Sequence, residues 1–270
     1  MQARQVAQAA AYVRARIDQR PKIGIILGSG MGGFASTLSR AAVIRTDEVP
    51  HYPHSTVEGH SGAIVCGKLK SVSVLVLQGR VHYYESGDLE RVLFPVRVAH
   101  RLGVRILLMT NAAGGVNPDF RPADLMLMTD HINLTLENPL TGAETPVRGG
   151  DLYDAGLQDA VRGVALEEGM TLREGVYCGI KGPSYETAAE VEMIRRIGGD
   201  AIGMSTVNES SLAHALGVRV AGISLITNLA TGLSREALSH AEVTDVAGRA
   251  NAALEALLTG FVGRVGTARS

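Results

Sequence analysis

Apolar, β-branched runs alternate with stretches of helical periodicity along this chain. The runs predict strands over Lys22–Leu27, Ala42–Thr46, Ala63–Leu69, Val72–Gln78, Arg105–Thr110, Asp124–Thr129, Ala201–Met204 and Val218–Thr227. Helices are predicted over Arg4–Ile17, Leu89–Leu102, Leu157–Glu168, Thr187–Ile197, Val207–Leu216 and Ala241–Thr259. Such alternation predicts the α/β class, with a central, mainly parallel sheet flanked by helices. Ala63–Leu69 and Val72–Gln78 stand almost end to end and read as a hairpin, so the sheet is expected to be mixed. No linker, low-complexity block or internal repeat interrupts the pattern, and residues 1–270 read as a single domain.

Composition narrows the functional classes. Hydrophobic residues make up 46% and charged residues 20% of the 270 positions, as in ordinary globular proteins. A net charge of −1 provides no broad field for nucleic acid or for an anionic membrane surface. The amphipathic N-terminus lacks the continuous apolar core of a signal peptide, and no run approaches the roughly 20 apolar residues of a membrane span. Cys66 and Cys178 are far apart and lack metal-ligand spacing, so they are expected to be buried thiols of a cytoplasmic protein. His51, His54 and His60 likewise match no metal motif, and no metal is expected.

The polar residues gather where predicted strands end, which is where ligands bind in open α/β sheets. After the first strand comes GSGMGG, whose glycines free backbone N–H groups to face an anion while Ser29 adds a hydroxyl. Gly28, Gly30 and Gly33 also fit a dinucleotide-binding turn, with Asp47 about 20 residues on as its ribose carboxylate. In GRVHYYE, an extended strand end is expected to bring Arg80, His82 and Tyr84 onto one face, with Glu85 orienting the imidazole. TNAAGGVN offers the Asn111 amide on a close-approaching backbone. In GPSYETAAE, Thr187 and Glu190 form a capping box, leaving Tyr185 and Glu186 at the helix start as a ring to stack and an acceptor for N–H groups. GMSTVNE supplies Met204 and Ser205, SLITN ends in Asn228, and SHAEV places His240 before the last helix.

Taken in this order, LGSGMGG, STVEGHSG, GRVHYYE, FPVRV, TNAAGGVN, GPSYETAAE, GMSTVNE, SLITN and SHAEV resemble the trimeric type of purine nucleoside phosphorylase over nearly the whole chain. The resemblance implies reversible phosphorolysis of purine nucleosides to free base and pentose 1-phosphate, in a homotrimer, without cofactor and with inorganic phosphate as co-substrate. It implies phosphate contacts from Ser29, Arg80, His82, Asn111, Ala112 and Ser205. Tyr84, Met204 and His240 are implied for the ribose, and Tyr185, Glu186 and Asn228 for the base. Glu85 and His60 are implied as supports of the phosphate end. Asn228, Glu186 and His82 carry the implied catalytic roles. In the family, a Glu–Asn pair goes with 6-oxopurines, inosine and guanosine. The related methylthioadenosine phosphorylases and a dinucleotide-binding module are the competing readings.

The chain departs from the family pattern in three places. The segment after NPL is shorter and holds Tyr153 as its aromatic residue, where many members carry an aromatic that reaches the neighbouring subunit. Ser86 stands where the family usually has glycine, and Asn208 stands where proline is common.

Overall fold

The computed structural model describes residues 2–57, 62–141, 150–233 and 240–267. Its strands are β1 (Ile23–Leu27), β2 (Ser39–Arg45), β3 (Ala63–Leu69), β4 (Val72–Gln78), β5 (Ile106–Gly115), β6 (Leu125–Asn133), β7 (Leu172–Gly179), β8 (Ala201–Gly203) and β9 (Arg219–Leu229). Its helices are α1 (Gln2–Arg14), α2 (Leu89–Leu102), α3 (Ala155–Glu167), α4 (Ala188–Arg196), α5 (Val207–Ala215) and α6 (His240–Thr267).

All the strands join one sheet in the order β2-β3-β4-β1-β5-β8-β7-β6-β9, and β9 pairs back onto β5. One half is therefore an open blade, and the other closes on itself. β1 runs parallel to β4 and β5, β5 to β9, β6 to β7, and β7 to β8. β3 and β4 form the expected antiparallel hairpin, while β5–β8 and β6–β9 are short antiparallel seams. The sheet is mixed and mainly parallel, as its apolar runs predict.

The central strand explains why such runs look uninterrupted. Every residue of β1 is buried, because helices cover both faces of a mainly parallel sheet. Ile26 packs with α1, α2 and α5, and Ile23, Ile25 and Leu27 pack with α3 and α6. Cys66 in β3 and Cys178 in β7 are both free and buried, and burial raises each thiol to about 11.

Three local expectations change. β7 was not anticipated, since LREGVYCG mixes charged residues and glycine and has no clean alternation. β5 does not stop at Thr110: Asn111–Gly115 continue it, because β9 and β8 pair with this stretch of small residues. β4 ends at Gln78, Gly79 turns at φ 96°, and Tyr83–Glu85 form a short 3-10 turn in place of an extended end.

Candidate active site

A cavity opens at the carboxyl ends of β1, β4, β5, β8 and β9. Ser29, Arg80, His82, Tyr84, Asn111 and Ala112 line it on one side. Tyr185, Glu186, Met204, Ser205 and Asn228 line it on the other. These eleven are the residues implied for phosphate, ribose and base other than His240; nine lie on or directly after β1, β4, β5, β8 and β9, and Tyr185 and Glu186 come from the segment before α4. His60 lies outside the described residues. His240 begins α6, and its side chain also lies outside them.

The floor under Ser29 is built by Gly28 and Thr110. The Gly28 N–H donates to Thr110 Oγ1 (3.1 Å), whose hydroxyl donates to the Ile26 carbonyl (3.1 Å). A Cβ on Gly28 would stand 2.7 Å from the Asn111 Cα, so only glycine lets β1 and β5 approach this closely. The loop does not lead into an α-helix, as a dinucleotide fingerprint requires; it enters a 3-10 helix at Gly32–Thr37. Gly33 has open space around its Cβ position. Asp47 is paired on the surface with Arg45 and is not among the residues that line this cavity.

Arg80 is almost fully buried and held on several sides. Its Nε donates to Glu209 Oε1 (3.2 Å), and its Nη1 donates to the Thr110 carbonyl (3.0 Å) and Ser205 Oγ (3.1 Å). His82 follows with a backbone N–H that donates to Glu85 Oε1 (2.6 Å), and its Nδ1 lies 3.3 Å from the same oxygen. Glu85 also accepts from the hydroxyls of Ser55 and Thr56, and so is tied to the 55–57 loop. Burial pushes this carboxyl up, but hydrogen bonds from His82 and Thr56 outweigh burial and bring it down to about 2. The expected common strand face of Arg80, His82 and Tyr84 is replaced by stacking. The His82 and Tyr84 rings lie 5.0 Å apart at 14°, because the 3-10 turn folds one over the other.

At the opposite end, Thr187 and Glu190 form the anticipated capping box of α4, which fixes the segment just before it. Glu186 is buried and Tyr185 is half exposed. Burial raises the Glu186 carboxyl above its ordinary value. The Asn228 amide has a set orientation: Thr227 Oγ1 donates to its Oδ1 (2.9 Å), and its Nδ2 donates to the Leu229 carbonyl (3.0 Å). Between the two ends, a Cβ on Gly182 would meet Met204 Sδ at 2.4 Å and Tyr84 at 3.1 Å. That glycine therefore lets the segment before Glu186 close over Met204 and Tyr84.

Several supports escaped the sequence reading. Asn111 spends its side-chain amide on Thr206 Oγ1 (2.9 Å). Tyr177 places its hydroxyl 3.4 Å from the Ser205 N–H, and burial pushes that phenol up to about 12. Thr110 and Glu209 look like a strand threonine and a helix-capping glutamate, and nothing local marks their reach across the fold. Tyr153 is buried, and its hydroxyl lies 3.0 Å from His131 Nδ1. It is a core residue and not an arm toward another subunit.

A mixed α/β sheet that sets a buried arginine and histidine with two serines opposite a buried glutamate and an oriented asparagine defines a class, and sequence comparison agrees. The family model described as the phosphorylase superfamily matches residues 22–263, and the chain belongs to that superfamily. Within it, the chain falls among the purine nucleoside phosphorylases. Purine nucleoside phosphorylase 1 of Bacillus subtilis (strain 168) is 44% identical over 263 residues, 95% of this chain and 97% of its own length. The Mus musculus purine nucleoside phosphorylase is 42% identical over 248 residues, 87% of this chain and 86% of its own. The crystal structure of a schistosoma purine nucleoside phosphorylase in complex with hypoxanthine superposes with a TM-score of 0.91 at 32% identity, covering 99% of this chain and 98% of that one.

Proposed function

We propose that the cavity carries out reversible phosphorolysis of 6-oxopurine nucleosides and deoxynucleosides, with inosine and guanosine as the substrate class. The buried Glu186 in one cavity with the oriented Asn228 carries this reading. With its Oδ1 engaged by Thr227, Asn228 presents its N–H side to N7 of the base. The Glu186 carboxylate accepts from N1–H and the 2-amino group. Tyr185 lies along the ring, and Met204, Tyr84 and His240 meet the ribose. Ser29, Arg80, His82, the Asn111–Ala112 segment and Ser205 hold inorganic phosphate.

The reaction balances without a cofactor. The C1′–N9 bond breaks as a phosphate oxygen bonds to C1′, and the departing purine takes up a proton at nitrogen. Positive charge on the sugar faces the phosphate while negative charge on the purine faces the Asn228 amide, so catalysis is positioning plus electrostatic stabilisation. Removing the Asn228 donor costs about 3 kcal/mol, on the order of a hundredfold in rate. The working form is a homotrimer in the cytoplasm. Among the described residues, no helix is long and apolar enough to cross a membrane.

The test is to incubate the protein with inosine, with and without phosphate, and to follow hypoxanthine. Adenosine and methylthioadenosine are run alongside. Phosphate-dependent release of hypoxanthine is the expected outcome. Its absence, or adenine release from methylthioadenosine far exceeding inosine cleavage, overturns the reading.

A further inference from the structure

Thr206 has φ 76° and ψ −50°, a backbone shape rarely adopted by a β-branched residue. The Val207 N–H donates back to the Ser205 carbonyl (2.9 Å), closing a tight γ-turn around Thr206. Strain of this kind persists only where the surroundings over-determine it. Here Glu209 supplies the restraint: its Oε2 accepts from the Thr206 N–H (2.7 Å), while its Oε1 accepts from Arg80 Nε (3.2 Å). Both members of the Arg80–Glu209 pair have side chains only 4% exposed. One carboxylate thus holds the strained turn that presents Ser205 and the guanidinium that donates to Ser205 Oγ.

A capping box needs no such burial and no arginine. The box of α4 is exposed and joins only Thr187 and Glu190. The box of α5 has the same local wiring, but its glutamate extends 129 positions back along the chain to Arg80.

We propose that Glu209 is a positioning residue for the phosphate end of the cavity, fixing Arg80 and the Ser205–Thr206 turn as a unit. This rests on the phosphorolysis reading above. Charge and geometry predict opposite signs. If Glu209 mattered only as a charge, its removal would leave Arg80 more positive and tighten phosphate binding. If it positions, the amide of Glu209→Gln must set an N–H group against either Arg80 Nε–H or the Thr206 N–H, and phosphate binding weakens.

The experiment measures KM for phosphate and for inosine, together with phosphate binding by calorimetry without nucleoside, in wild type and Glu209→Gln. The expected result is a rise of about tenfold or more in KM and Kd for phosphate, with KM for inosine within about twofold. Glu209→Asp keeps the charge with shorter reach, and serves if the glutamine variant does not fold; it should show the same split at smaller amplitude. Combined with Ser205→Ala, it should give less than the sum of the single effects, since both act through Arg80. A phosphate KM that falls or stays unchanged, an equal loss for both substrates, or strict additivity overturns the proposal. The calorimetric arm reads it independently of turnover: a wild type that binds phosphate but leaves inosine intact sinks the phosphorolysis reading alone, and one that does not bind phosphate sinks both.

Discussion

Glu186 lines the cavity and Glu85 stands behind His82 at its other end, and their surroundings move the two carboxyl groups in opposite directions. Burial raises Glu186, whereas the hydrogen bonds that reach Glu85 override burial and hold it at about 2. On the proposed role, Glu186 accepts from N1–H and the 2-amino group with both oxygens only as a carboxylate, so the acid limb of kcat/KM for guanosine should fall above the ordinary 4.5. Glu186→Gln should cut turnover and abolish that limb; a limb at or below the ordinary value breaks the assignment. Glu85 has the reverse sign. Its folded value is depressed, so its contribution to stability is fully present above about 4.5 and is lost as pH falls toward about 2. Thermal melts of wild type and Glu85→Gln should therefore differ most near neutral pH and converge through that acid window. The pairing of Glu85 with His82 and the place of Glu186 just before the α4 cap are legible from their neighbours in sequence. The directions of the two shifts are less so: burial of Glu186 is a tertiary effect, and the lowering of Glu85 adds hydrogen bonds from Thr56, 29 positions away, to those of its neighbour His82.

At the scale of elements, the loop after β1 separates two readings of one glycine pattern. Gly28 faces backbone at 2.7 Å, and Gly33 faces open space. Gly28→Ala should destabilise strongly and raise KM for phosphate, while Gly33→Ala should stay within about 0.5 kcal/mol of wild type in chemical denaturation. The opposite ranking would restore the third glycine to the close-packing role it has in dinucleotide folds. Elements with a strong local signature were legible: α2 and the β3–β4 hairpin follow their predicted bounds, and α4 begins at its predicted cap. Asn111–Gly115 fall beyond the predicted end of their strand because small residues carry no strand signal of their own. Pairing with β8 and β9 makes them strand. Likewise, α5 shows its Glu209 locally as a cap, and the arginine that it also serves comes from a different strand end.

For the whole molecule, the least legible feature is the closure of β5, β8, β7, β6 and β9. It depends on pairings between strands distant in sequence, which leave no periodicity to read. Closure brings Asn111 and Ala112 of β5 beside Ser224 and Leu225 of β9, and so sets the Asn111 side and the Asn228 side of the cavity on one frame. A ligand that bridges parts of this frame should stabilise all of it. Phosphate at a hundredfold over its Kd should add about 2.7 kcal/mol to unfolding, read as a rise in Tm. A Tm indifferent to phosphate would show that the anion does not bind the folded chain.

The two buried thiols lie in different parts of this architecture, Cys66 among the residues packed under α1 and α2 and Cys178 beneath α4. With each thiol held near 11, neither reacts in place at neutral pH; a sulfhydryl reagent must wait for its strand to open. The chain therefore carries a native stopwatch in each region. Cys66 times the parting of the open blade, and Cys178 times the parting of the closed ring beneath α4.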